Sequence, residues 1–261
     1  MSSAAIDPAA LVAALGAAAR RFDIDVLPRC GSTNAVLLMR AEAGAASGTV
    51  VVAEEQTAGR GRRGREWIAA PGDSLTFSLL WRFAPGTVPI GLSLAVGVAV
   101  VRAIEKLGVG DTALKWPNDI LRRGKKLGGI LVELVPGVPH AAVIGIGINR
   151  RLPDALPPDV WETAAALGDY VNINTLLAAL LCELHTVLES FAAAGFAAMR
   201  ADWLAHHAFQ GAPVMLLSDF SPPRQGVCRG VDGDGALLLE VDGRIEHILS
   251  GEISLRAAPP V

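Results

Sequence analysis

Four short segments carry residue types suited to chemistry on an anionic ligand. The first is Gln56-Thr57-Ala58-Gly59-Arg60-Gly61-Arg62-Arg63-Gly64-Arg65. Four guanidinium groups on a glycine-rich loop suit clamping phosphate or carboxylate oxygens with paired hydrogen bonds. Its glycines formally fit the G-x-G-x-x-G dinucleotide fingerprint, but that fingerprint must open a helix. Here Glu66-Trp67-Ile68-Ala69-Ala70-Pro71 follows, which sustains no helical run. The plain alternative is a solvated basic loop.

The second segment, Lys115-Trp116-Pro117-Asn118-Asp119, leaves an ammonium, an amide and a carboxylate at one strand end. Pro117 holds Trp116 extended and removes a donor, so the chain turns sharply there. The third, Gly124-Lys125-Lys126-Leu127-Gly128-Gly129-Ile130-Leu131-Val132-Glu133, sets two lysines before a Gly-Gly pair that enters a buried strand. Gly-Gly allows close approach by a ligand. The fourth, Gly145-Ile146-Gly147-Ile148-Asn149, clears side chains from one face of a strand and leaves a slot for a flat ligand. Each has a plain reading as well: an Asn-Asp turn, a hairpin with a basic tip, a strand packed closely on a helix. Together they describe a basic, glycine-lined, partly apolar cleft for a carboxylate and a phosphate.

Other chemistries lack their signatures. There is no P-loop and no G-x-S-x-G elbow. The five histidines form no zinc pattern, and no protein metal site is expected. Cys30, Cys182 and Cys228 are widely spaced and odd in number, which points to a reduced, cytosolic setting. A net charge of −3 argues against a protein that coats nucleic acid. Of 23 basic residues only four are lysines, and Lys115, Lys125 and Lys126 fall within twelve positions. Two readings stand: a coding bias toward arginine with chance clustering, or a need for a compact ammonium in this segment.

The elements that must position these segments can be read in outline. Residues 22–27, 49–54 and 74–81 look like strands, and Ser32 or Thr33 is placed to cap a helix running to Ala43. Residues 83–101 carry no charge over 19 positions. Pro85, Gly86, Pro89, Gly91, Ser93 and Gly97 interrupt that run, so a buried helix from near Pro89 to near Gly108 is expected, and not a membrane span of about 20 residues. Residues 130–134 and 142–148 read as adjacent strands turning at 136–139, and 174–191 and 196–207 as helices. After Gln210 the texture changes to short strands separated by Asp-Gly turns, a small barrel-like module of about 50 residues. The expected division is 1–21 as a helix or ragged start, 22–210 as the main domain and 211–261 as the module.

With Ser32-Thr33-Asn34 before these motifs and Gly251-Glu252-Ile253-Ser254-Leu255-Arg256 after them, the chain resembles the bacterial biotin–protein ligases over roughly residues 22–258. The resemblance implies an α+β fold: a mixed sheet with helices, similar to class II synthetases, plus a C-terminal SH3-like β-barrel. It implies a cytoplasmic enzyme that forms biotinyl-5′-AMP and pyrophosphate from biotin and ATP with Mg²⁺. The biotinyl group then passes to one lysine of a biotin carboxyl carrier protein. Residue roles carry over motif by motif. Ser32, Thr33, Gln56, Arg60, Arg62, Lys126, Gly129, Gly145, Gly147 and Ile148 are implied to bind biotin. Arg60, Arg65, Lys115, Asn118, Lys126, Asn149, Trp161, Glu252 and Arg256 are implied to serve ATP. Lys126 and Arg60 are the expected catalytic groups, and Asp119 the candidate for orienting, or accepting a proton from, the incoming lysine. Gly128 stands where some relatives carry Ala, and little effect of that change is expected. Two-function relatives carry an N-terminal helix-turn-helix; only about 21 residues precede the first strand here, so no operator binding is expected, and a monomer or homodimer is. A lipoate–protein ligase shares the α/β core and is the competing enzyme reading; a basic-loop nucleic-acid module is the competing non-enzyme reading.

Overall fold

The computed structural model describes residues 5–68, 71–153, 156–218, 221–249 and 253–258. The chain opens with helix α1 (Pro8–Leu15), capped by the Asp7 carboxylate on the amides of Ala9 and Ala10, and a 3₁₀ turn over Gly16–Arg21. Strand β1 (Asp23–Cys30) leads through α2 (Thr33–Glu42) to β2 (Thr49–Gln56). β3 (Ser74–Arg82) and the buried helix α3 (Leu92–Lys106) follow, then β4 (Thr112–Lys115), β5 (Asp119–Arg122), β6 (Lys125–Val135) and β7 (Val138–Asn149). Helices α4 (Pro158–Thr163), α5 (Ile173–Ala194) and α6 (Arg200–Ala205) complete the larger part.

Seven strands form one sheet in the order β1-β2-β3-β7-β6-β5-β4. β1 and β2 run parallel, joined by the α2 crossover; the other neighbours are antiparallel. The two faces separate by strand alternation. Leu75, Phe77 and Leu79 of β3 and Ile144, Ile146 and Ile148 of β7 enter the core beneath α3 and α5. The opposite face packs α2 through Leu37 and Ala41 onto Val51, Leu80 and Val143. Thus the uncharged run becomes a helix buried in the core. α5 alone among the described helices is long and apolar enough to cross a membrane, and its buried residues face the same core.

Residues beyond Gly211 form a second, antiparallel sheet: β8 (Pro213–Ser218), β9 (Arg224–Val231), β10 (Leu237–Val241), β11 (Arg244–Ile248) and β12 (Ile253–Ala257), in the order β11-β10-β9-β8-β12. Every strand expected there is present. The short strand β5 and the helix α4 were not anticipated, whereas β4 is the strand whose end was expected at Lys115.

His207 stands where the two sheets meet. The chain at 206–208 covers the β4 edge, with Leu114 donating to the His206 carbonyl and Ala208 to the Leu114 carbonyl. The His207 ring lies 3.3 Å from the Leu114 carbonyl and 3.1 Å from Cys228 Sγ of β9. Burial pushes its pKa down to about 4, the Leu114 carbonyl opposing that shift. A folded pKa below the usual 6.5 means stability is fully present above pH 6.5 and is lost as pH falls through 4. About 3 kcal/mol is at stake. In urea titrations between pH 7 and 4, the wild type should lose about that much more stability than His207→Gln; parallel losses would refute it.

Candidate active site

The glycines of β7 and β6 are where the site begins. Gly145 and Gly147 share a face with their register partners Ser78 and Thr76, and Gly129 lies opposite Gly147. A Cβ on Gly145 would sit 2.2 Å from Asn34 Oδ1, and one on Gly147 only 2.4 Å from the Trp67 ring. The glycines clear this face of the sheet, and in this structure the space they leave meets α2 at one end and an indole at the other.

The polar end is a connected network. Gln56 Oε1 accepts from the Thr33 amide at 2.8 Å and its hydroxyl at 3.2 Å. Ser78 Oγ bonds both Thr33 Oγ1 (2.8 Å) and Asn34 Oδ1 (2.5 Å). Asn34 Nδ2 donates to Glu133 Oε2 at 2.7 Å, which also pairs with Arg60 Nη2 at 3.3 Å. Ser32 occupies the cap position of α2 without making a capping bond, while the first helical amide, that of Thr33, is satisfied by Gln56.

The cationic end is an ion triad. Asp119 lies 2.7 Å from both Lys115 Nζ and Lys126 Nζ. Burial alone would push its carboxyl up, but Lys126 and Lys115 outweigh burial and hold it below the usual carboxylate range. A carboxylate so held is a weak proton acceptor and a firm support for an ammonium. Lys126 keeps 43% of its side chain exposed, so the ammonium still faces the cleft.

The arginine loop folds over both ends. The Gly61 amide donates to the Arg65 carbonyl at 2.7 Å, and the Trp67 amide to the Gly59 carbonyl at 2.9 Å. Gly59 is required, because a Cβ there would lie 2.3 Å from the Trp67 carbonyl. Arg62 Nη1 donates to Asn118 Oδ1 at 3.4 Å, while Asn118 Nδ2 holds the Ile130 carbonyl at 2.8 Å. The cleft, with its open mouth included, spans about 940 Å³.

Ser32, Thr33, Gln56, Arg60, Arg62, Arg65, Lys115, Asn118, Asp119, Lys126, Gly129, Gly145 and Gly147 line this cleft. Ile148 does not: its side chain is wholly buried in the core, because strand alternation turns it away from the face that Gly147 shows. Asn149 is drawn to the 165 carbonyl, Trp161 stands 44% exposed on α4, and Arg256 is exposed on β12, beside cleft-lining Leu255. Glu252 lies outside the described residues. Sequence reasoning gave no role to Trp67, Asn34 or Glu133. The signal was present for Glu133, a lone charge in an apolar strand; Trp67 offered none.

Gly128 contradicts the expectation that alanine there has little effect. Its Cβ would sit 2.5 Å from the Gly147 carbonyl, across the β6–β7 ladder under the slot. Backbone cannot rotate aside, so Gly128→Ala should cost about 1–3 kcal/mol in denaturant titrations. An unchanged midpoint would show that the ladder yields freely.

Comparison with known proteins adds the context of relatives. Residues 26–149 match the Biotin/lipoate A/B protein ligase family, and residues 223–256 the Biotin protein ligase C terminal domain. The chain is 42% identical over 241 residues to the Bifunctional ligase/repressor BirA of Escherichia coli (strain K12), covering 90% of this chain and 74% of that protein. It is 35% identical to the Biotin--[acetyl-CoA-carboxylase] ligase of Mycobacterium tuberculosis, covering 92% and 91%. Among solved structures, the biotin protein ligase from Aquifex aeolicus in complex with biotin and ATP superposes with a TM-score of 0.79 at 29% identity, covering 90% of this chain and 99% of that one. The two matched segments lie one on each sheet, and the identity to such relatives spans nine-tenths of the sequence: the chain belongs to the biotin protein ligase family.

Proposed function

We propose that this chain is an ATP-dependent biotin–protein ligase in which Lys126, Arg60 and Arg65 carry the charge of the first step. The observation that carries the reading is the ion triad of Lys126, Asp119 and Lys115 at the lip of the glycine slot, under the arginine loop. Biotin's carboxylate attacks the α-phosphorus of ATP; the new O–P bond gives biotinyl-5′-AMP, and pyrophosphate leaves. Two anions approach each other, so fixed cations at the meeting point stabilise the transition state more than either reactant. The neutral acceptor amine of a carrier-protein lysine then attacks the acyl carbon; the C–N bond forms, AMP departs with the C–O bond electrons, and the amine's extra proton passes to solvent. Asp119 orients that amine while holding Lys126.

Ser32, Thr33 and Gln56 serve the ureido ring, with Gly129, Gly145 and Gly147 as the slot beneath it. Arg62 closes over biotin, and Lys115, Asn118, Asn149, Trp161, Glu252 and Arg256 serve the nucleotide side. Among the described residues no three His, Cys, Asp or Glu side chains gather around a metal-sized site. Mg²⁺ is assigned to ATP's phosphates, which usually carry this ion together with waters and one or two carboxylates. Residues 22–210 form the catalytic part and 211–261 the SH3-like module. The three free thiols support a cytoplasmic setting, as a monomer or homodimer. The test is biotin-dependent exchange between pyrophosphate and ATP. Exchange that biotin triggers and lipoate does not supports the reading; equal stimulation by lipoate points to the lipoate-ligase alternative.

A further inference from the structure

Residues 164–170 follow α4 outside both sheets, yet they are sewn to the ends of two strands. The Ala165 amide donates to the Lys126 carbonyl at 2.7 Å, where the two segments run parallel. Asn149 Nδ2 holds the Ala165 carbonyl at 3.1 Å, and the Leu167 and Gly168 amides donate to the Asn149 and Arg150 carbonyls. The strap thus lies across the start of β6 and the end of β7.

A further anchor reaches it from β5. Arg122 Nη1 donates to the Ala166 and Leu167 carbonyls, both at 2.8 Å, and Nη2 donates to Tyr170 Oη at 2.9 Å. The Tyr170 ring in turn covers Gly168, where a Cβ would sit 2.8 Å from the ring. Arg122 Nε is shut from solvent with no hydrogen-bond partner among the described residues. The guanidinium therefore bears a desolvation cost that only its strap contacts offset. A surface arginine kept for solubility would not be placed this way.

We propose that Arg122 is a positioning residue for nucleotide binding. It holds the strap in register with Lys126 and Asn149, and so fixes α4 and Trp161, which enter the strap directly. The inference rests on the ligase reading, in which those three residues serve ATP. Ser32, Thr33 and Gln56, at the polar end of the biotin slot, lie on segments the strap does not touch, so the biotin KM is the internal control.

The experiment is Arg122→Met, which keeps much of the apolar stem and removes every donor. Pyrophosphate exchange is measured with ATP and biotin varied in turn, alongside amide hydrogen exchange over 164–170. The ATP KM should rise about tenfold while the biotin KM stays within about twofold. Strap amides should exchange faster, and Arg122→Lys should recover part of both effects. An unchanged ATP KM with native strap protection overturns the proposal, as does an equal rise in both KM values. If the unaltered protein shows no biotin-dependent exchange, the ligase reading fails instead, and strap protection still reads whether Arg122 holds the segment.

Discussion

Lys126→Ala should lower biotin-dependent pyrophosphate exchange by about 10²–10³-fold, the loss typical when a preorganised charge-stabilising group is removed. The argument is electrostatic. The carboxylate and the α-phosphate repel, and Lys126 is the ammonium that both the slot and the nucleotide side can reach. Asp119 holds it at 2.7 Å, in a geometry fixed before substrate arrives. Folding should survive, since the side chain is partly exposed and its removal leaves Asp119 paired with Lys115 at 2.7 Å. Lys126→Arg should recover little, because a planar fork does not replace a compact ammonium at one point. Exchange within about fivefold of wild type, in a variant that melts normally, would remove Lys126 from the chemistry.

Gly147→Val should abolish biotin binding with little loss of fold. A Cβ at Gly147 meets Trp67 at 2.4–2.8 Å, and Trp67 sits on a loop that can yield. The isopropyl group would fill the floor of the slot, where neither backbone nor a core side chain needs to move. A loss of at least about 100-fold in biotin affinity follows if the ring system lies there, since overlap with a rigid ligand has no cheap relief. Gly145→Val is the contrasting case. Its Cβ strikes Asn34 at 2.2 Å, inside the buried Ser78–Glu133 network, so that variant should lose stability as well. Isothermal titration with biotin and thermal melting separate the two. Near-normal biotin affinity in Gly147→Val would move the ligand elsewhere.

Much of this site was legible before the fold was seen, for a physical reason. Glycines at alternate strand positions clear one face, and an Arg-rich loop without helical continuation is either a solvated loop or an anion clamp, a choice that the three neighbouring motifs tipped toward the clamp. The same alternation rule, applied one residue further, turns Ile148 away from Gly147; there the resemblance to relatives was carried past what a strand allows. What escaped was tertiary. Trp67 reaches the slot from a loop with no periodicity. β5 is four residues long, too short to announce itself, and the edge of β4 is completed by residues 206–208, nearly a hundred positions away. Trp116 is another case: its Nε1 donates to the Gly235 carbonyl at 3.1 Å, tying the lysine-bearing strand end to a turn of the second sheet. No local pattern predicts such a bond.

The most direct test of the account is mass spectrometry of a biotin carboxyl carrier domain incubated with this protein, biotin and MgATP. The account predicts the mass of one biotinyl group added to one lysine, dependent on ATP. An unmodified carrier domain under those conditions, with the protein folded and biotin bound, would contradict it.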